Sequence, residues 1–212
     1  MTDLLEGYRR FRETEWPRLR ARYERLARRG QSPHTLVVAG SDSRVDPEVI
    51  FSAGPGDLFV IRNVGSIVPP YRPDRGYHGT SAALEFGICI LKIPRIVVLG
   101  HSGCGGVKAL VEGAPAQARD FLDPWLSIVE PVLWPTPEGF EERRLYDHFE
   151  RAVVRESLAN LLTFPWIAHR IRSGTLEILG FRFVIATGEL EPISAPTVDT
   201  PQAGAASRRL SR

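Results

Sequence analysis

Thr35-Leu36-Val37-Val38-Ala39, running straight into Gly40-Ser41-Asp42-Ser43-Arg44, decides how this chain is built. An almost wholly apolar run followed at once by small and charged residues is the pattern of a strand covered on both faces and ending in a polar loop. Ile96-Val97-Val98-Leu99 repeats it and runs into Gly100-His101-Ser102-Gly103-Cys104. Leu58-Phe59-Val60-Ile61 and Leu176-Glu177-Ile178-Leu179-Gly180-Phe181 add two more short strands. Between them, Thr80 to Leu91 places Ala82, Ala83, Phe86, Ile88 and Cys89 at helical spacing, and a further helix is predicted to start near Gly105. The alternation predicts an α/β domain with a mainly parallel central sheet flanked by helices.

Working outward, residues 1–30 read as an N-terminal amphipathic helical arm. Leu4, Leu5, Tyr8, Phe11, Leu19, Tyr23 and Leu26 recur among arginines, and Trp16-Pro17 predicts a break between two helices. Their apolar stripe must cover the domain or a second subunit. The α/β domain is assigned to residues 31–193. Within it, a proline-rich aromatic stretch from Phe121 to Pro137 precedes a helical run from Glu141 to Arg172, interrupted at Pro165. Residues 194–212 lack core residues and are predicted to be a disordered tail.

The chain of 212 residues, 43% hydrophobic and 25% charged, has the composition of one globular domain with a substantial core. Its 27 basic and 25 acidic residues give a formal net charge of +2, so no overall field selects nucleic acid or membrane as a partner. Two cysteines, Cys89 and Cys104, cannot form a disulfide framework, and no apolar run is long enough for a membrane span. A cytoplasmic location is expected.

The two polar loops follow the first and third strands, so both fall at the carboxyl ends of the sheet, where ligand sites form in such folds. His101 and Cys104 offer one imidazole and one thiolate, the ligand types that suit zinc. Alone, a His-x-x-Cys pair is weak evidence. Its weight comes from its place after a strand, from Gly103, Gly105 and Gly106, and from Asp42 and Arg44 in the companion loop. Read singly, Asp42 and Arg44 are more readily a loop-ordering ion pair than a catalytic dyad. His34, His78, His148 and His169 have no companion ligands and are given no metal role. A dinucleotide site is not supported, because the glycines do not match its fingerprint.

The blocks GSDSRVDP, PGDLFVIRNVGSIVPPY, GTSAALEFGICILK, IVVLGHSGCGGVKAL and ESLANLLTFPWI, in order from about Gly30 to Glu189, resemble the plant-type branch of the β-class carbonic anhydrases. The resemblance implies that His101 and Cys104 are zinc ligands and that Asp42 and Arg44 form the catalytic Asp-Arg dyad. It implies that Gln31 is the substrate-side amide and that Phe59, Val64 and Phe86 line the substrate pocket, with Phe86 where the plant enzymes often have Tyr. Family active sites lie at the interface of a domain-swapped dimer, so a homodimer or higher even-numbered oligomer is expected, with Gln31 and Phe59 serving the partner's zinc.

The implied reaction is reversible hydration of CO₂ to bicarbonate and a proton, in which zinc lowers the pKa of a water to about 7. Asp42 would orient that water, and Arg44 would keep Asp42 ionised. Gly40, however, stands where the family has its first zinc-ligand Cys. One ligand of a site worth roughly 10–16 kcal/mol over four is worth on the order of 3 kcal/mol, so zinc affinity is expected to fall at least about a hundredfold. Three outcomes follow from the sequence: Asp42 swings in as a third ligand beside His101 and Cys104, with low activity; the protein is metal-free and binds bicarbonate or another small anion; or Gly40 is a sporadic or engineered change in an ordinary enzyme. Hydrolysis of CS₂ or COS on the same fold is a further enzymatic alternative.

Overall fold

A computed structural model describes residues 2–133 and 142–195. Most of the predicted tail, from residue 196 onward, lies outside the described residues, as does the aromatic stretch from residue 134.

Five strands form one sheet: β1 (Thr35–Gly40), β2 (Leu58–Asn63), β3 (Arg95–His101), β4 (Glu177–Val184) and β5 (Glu189–Ile193), in the order β2-β1-β3-β4-β5. The first four run parallel, and β5 pairs antiparallel with β4. The four apolar runs are therefore the parallel strands. β5 was not legible, because Glu189-Leu190-Glu191-Pro192-Ile193 is an edge strand with charged residues and a proline where no further strand pairs.

Both faces of β1 are fully buried. Leu36 and Val38, with Ile96 and Val98 of β3, pack under α4 (Gly79–Glu85), α7 (Glu142–Leu162) and α8 (Pro165–Arg172). Val37, Ala39, Val97 and Leu99 point to the other face, against Val45, Ile50 and Phe51 around the short α3 (Pro47–Ile50). A third cluster joins Cys104 and Val107, at the start of α5 (Gly105–Glu112), to Leu126 of α6 (Leu122–Leu126) and to Phe149 and Val153 of α7. Pro165 starts α8 in its first turn, where a missing N–H costs nothing.

The arm departs from its predicted form. α1 (Thr2–Arg10) and α2 (Trp16–Arg29) are one continuous helical run joined by a π-turn at Phe11–Glu15, where the Trp16 amide reaches back to the Phe11 carbonyl. The wider turn gives room for the Pro17 ring, which would collide with the preceding turn of a regular helix, so the chain passes the proline without breaking. α2 is fixed to the body by Arg22, which pairs with Asp57 and donates to the Pro55 carbonyl at 2.6 Å. Leu4, Leu5 and Tyr8 of α1 remain more than half exposed.

Candidate active site

The strand order reverses between β1 and β3, because the chain passes from β1 to β2 on one side and places β3 on the other. A crevice at that switch point, beyond the carboxyl ends, is where parallel α/β sheets hold ligands. Gly40 closes β1 and His101 closes β3, so the two sequence loops meet there.

His101 is 1% exposed. Its Nδ1 lies 3.1 Å from the Ser102 carbonyl, which fixes the proton on that nitrogen and leaves Nε2 with a free lone pair. Among the described residues, Nε2 is the one buried side-chain polar atom with no hydrogen-bond partner. A β-carbon built on Gly40 would sit 3.1 Å from it and 3.4 Å from Ser66 Oγ. The side chain missing at position 40 would thus point at the unpartnered nitrogen.

Cys104 caps the first turn of α5 and is 8% exposed. Burial pushes its thiol up, but the His101 imidazole and the amides of Val107 and Gly106 outweigh burial and hold it below the usual thiol value. His101 shows the complementary effect: burial opposes its protonation, while Cys104, the Ser102 carbonyl and Asp42 raise it above the ordinary imidazole value. α5 can approach this closely because of Gly106, where a β-carbon would stand 3.0 Å from the Gly65 nitrogen and Val64 side chain.

Asp42 is held by Arg44. The Arg44 amide and Nε each donate to Oδ1 at 2.9 Å, and Nη2 donates to Oδ2 at 2.7 Å. This fork holds the Asp42 carboxyl well below the usual carboxylate range. Arg44 Nη2 also donates to the Gly103 carbonyl at 2.9 Å, tying the β1 loop to the β3 loop. Asp42 Oδ2 lies 3.9 Å from His101 Nε2. Val64, 41% exposed and beside Gly106, adds an apolar edge to the same place.

The remaining predicted residues lie elsewhere on the same chain. Gln31 precedes β1, at the opposite end of a strand that advances about 17 Å between Thr35 and Gly40. Phe59 pairs in register with Leu36 near the start of that strand and stacks on Phe86 at 6.1 Å between ring centres. One chain therefore brings Asp42, Arg44, Val64, His101 and Cys104 together, while Phe59 and Phe86 form a stacked pair toward the amino end of the sheet and Gln31 precedes β1 at that same end.

The donor set can be tested against zinc directly. His101 and Cys104 are a fitting imidazole and thiolate, and the orphaned Nε2 offers a lone pair with no hydrogen-bond donor or cation opposite it. The third donor is not in place, since the Arg44 fork holds the Asp42 carboxylate toward itself with Oδ2 3.9 Å from His101 Nε2. Among the described residues no three His, Cys, Asp or Glu side chains form a group able to hold a metal ion. The site fits zinc as two donors of an incomplete set.

Two residues essential to this geometry carried no recognisable signal in the sequence. Arg62 of β2 donates to the carbonyls of Gly40 at 2.9 Å and of Asp42 and Val45 at 2.7 Å each. Glu150 of α7 accepts from the amides of Gly103 at 2.6 Å and Cys104 at 3.3 Å. Both act from far along the chain, which no local pattern can disclose.

The sequence profile of the carbonic anhydrase family matches residues 35–190, which span the whole sheet up to the start of β5. The chain belongs to the carbonic anhydrase family. Similar proteins carry the same name: a carbonic anhydrase of Pseudomonas aeruginosa is 36% identical, over 91% of this chain and 87% of the relative. One of Synechococcus elongatus is 34% identical, over 94% and 74% respectively. Among solved structures, the β-carbonic anhydrase CcaA matches with a TM-score of 0.85 at 35% identity, over 92% of this chain and 95% of that one. A tetrameric β-carbonic anhydrase of Sordaria macrospora matches with a TM-score of 0.82 at 27% identity, over 93% and 98%. By family, the chain is of the carbonate dehydratase type of lyase, and the mainly parallel sheet flanked by helices is the β-carbonic anhydrase fold. No helix of the described residues is long and apolar enough to cross a membrane.

Proposed function

We propose that this carbonic anhydrase homologue interconverts CO₂ and bicarbonate with zinc held by His101 and Cys104, at an activity reduced by the glycine at position 40. The observation that carries the reading is His101 Nε2, buried, unpartnered and facing the space that a side chain at position 40 would fill. A desolvated lone pair without a partner costs free energy, and a cation at that position offsets it. Zinc, when bound, supplies a water acidic enough to lose its proton near neutral pH.

The chain's own groups then divide the work. Asp42 stays ionised because of Arg44, and its Oδ2 presents an acceptor beside His101 that orients a water placed between them. Val64 offers an apolar surface to CO₂ on this chain. Gln31, Phe59 and Phe86, too far away to serve their own chain, complete the pocket of a partner subunit. The exposed Leu4, Leu5 and Tyr8 of the arm supply contact area for that partner, and an even-numbered homo-oligomer follows. The two free cysteines suit a reducing cytoplasm.

Asp42 can become a third ligand only by leaving Arg44, which would remove the acceptor that orients the water. Its present pairing favours a second reading, a zinc-poor protein that binds bicarbonate or another small anion near Arg44. Zinc content and CO₂ hydration of the purified protein decide between them. Zinc below about a tenth of an equivalent at saturating supply overturns the zinc reading, and bicarbonate binding to that metal-free protein establishes the second. Gly40→Cys is expected to raise zinc affinity and CO₂ hydration together, and no change in either defeats the account of the site.

A further inference from the structure

Glu150 is a charged side chain 3% exposed in the middle of α7, far from Asp42 in sequence and absent from the chemistry above. Both of its oxygens are used. Oε1 accepts from the Gly103 and Cys104 amides, and Oε2 accepts from Arg182 Nε of β4 at 2.7 Å. Arg182, 2% exposed, is completed by Asp147 and by Glu191 at 3.1 Å. Arg151 also pairs with Glu191, at 2.8 Å.

The Gly103 peptide is consequently gripped from two sides. Glu150 takes its N–H, and Arg44, itself locked onto Asp42, takes its C=O. Gly103 sits at φ +64, a left-handed conformation that glycine adopts without a steric penalty. Ser102 is fixed separately, its amide donating to the Phe183 carbonyl and its hydroxyl accepting from the Ile185 amide, each at 2.9 Å. Every peptide group between His101 and α5 is thereby held, and the imidazole and thiol are set before any ligand arrives. A carboxylate spent on two loop amides, instead of being exhausted by its arginine, is the arrangement of a support for that loop.

We propose that Glu150 is a positioning residue for the His101–Cys104 loop: its carboxylate, anchored by Arg182, fixes the Gly103 and Cys104 amides so that imidazole and thiol converge on the space beside Gly40. The role toward zinc rests on the reading given under Proposed function, whereas the fixing of the loop does not.

The test is therefore made first on metal-free protein. Amide hydrogen exchange at Gly103 and Cys104, and the rate at which a thiol reagent labels Cys104, are compared in native protein, Glu150→Ala and Glu150→Gln. Glu150→Ala is expected to speed exchange at the two amides and labelling by about tenfold or more, while strand amides of β1 and β3 keep their protection. Glu150→Gln retains an acceptor oxygen and is expected to restore slow exchange at Gly103 to within a few-fold of native. If Glu150 mattered only as a buried countercharge to Arg182, Gln would behave as Ala does, and that result overturns the proposal, as does unchanged exchange in Ala. Should Glu150→Ala fail to fold, Glu150→Ala/Arg182→Leu removes the charge pair together, and the same measurements are read on it. Zinc titration of the same variants separates the two ideas: no zinc binding by native protein defeats the functional reading alone, and the exchange pattern still decides the role of Glu150.

Discussion

The loops after β1 and β3 meet at one site but are held by opposite charges. Arg62 gathers three carbonyls of the β1 loop, and Glu150 gathers two amides of the β3 loop. Arg62 is solvent-exposed, whereas Glu150 lies inside a buried network with Arg182. The difference teaches that the two loops are tied to the body by different elements, the first by β2 and the second by α7. At position 40 the carbonyl accepts from Arg62 and the backbone pairs with β2, while a β-carbon would press on the His101 ring at 3.1 Å, so any side chain there must be accommodated by that ring. In the β3 loop, the Gly103 and Cys104 amides beside His101 are gripped by the buried Glu150.

The largest expected effect breaks the buried grip. Arg182→Leu leaves Glu150 with its charge uncompensated in the core, and destabilisation of about 3–5 kcal/mol is expected in denaturant unfolding. The equivalent change on the other side, Arg62→Leu, removes hydrogen bonds made from an exposed position and should cost clearly less; equal losses would end the contrast between the loops.

Metal affinity comes next and has opposite signs in the two loops. His101→Ala is expected to lower zinc affinity about a hundredfold, and Gly40→Cys to raise it by about as much, read by competition with a chelator. In metal-free protein Gly40→Cys should cost less than about 1 kcal/mol, because its β-carbon needs only a small shift of the His101 ring from the 3.1 Å contact. A Gly40→Cys protein that fails to fold would show that position 40 is constrained after all.

The smallest effect concerns the tie between the loops. Arg44 holds Asp42 below the ordinary carboxyl value, so the pair stabilises the folded protein above the unfolded-chain pKa of about 3.9 and is lost as pH falls through the depressed folded value. Native protein should melt slightly above Asp42→Asn at neutral pH, and the difference should close in acid. A gap that widens on acidification would contradict the pairing.

Much of this was legible in the chain. Apolar runs at 35–39, 58–61, 96–99 and 176–181 became the four parallel strands; β1 and β3 are buried on both faces and so are apolar almost throughout, whereas β2 and β4 are only partly covered and carry Arg62, Glu177 and Arg182. β5 escaped notice because an edge strand tolerates charge and proline, and the arm stayed continuous through Pro17 because a π-turn absorbed it. His101 and Cys104 stood out from their place after a strand, whereas the roles of Gly40, Asp42 and Arg44 came from the family resemblance of the surrounding blocks.

By itself the sequence determined the family and the parallel strands of the sheet, since these depend on residue type and local order. Only the tertiary structure decided that His101 Nε2 is left unpartnered, that Arg44 also ties Asp42's loop to the Gly103 carbonyl, and that Arg62 and Glu150 hold the two loops. Those are matters of direction between side chains distant along the chain, set by how α7 and β2 pack around the switch point between β1 and β3.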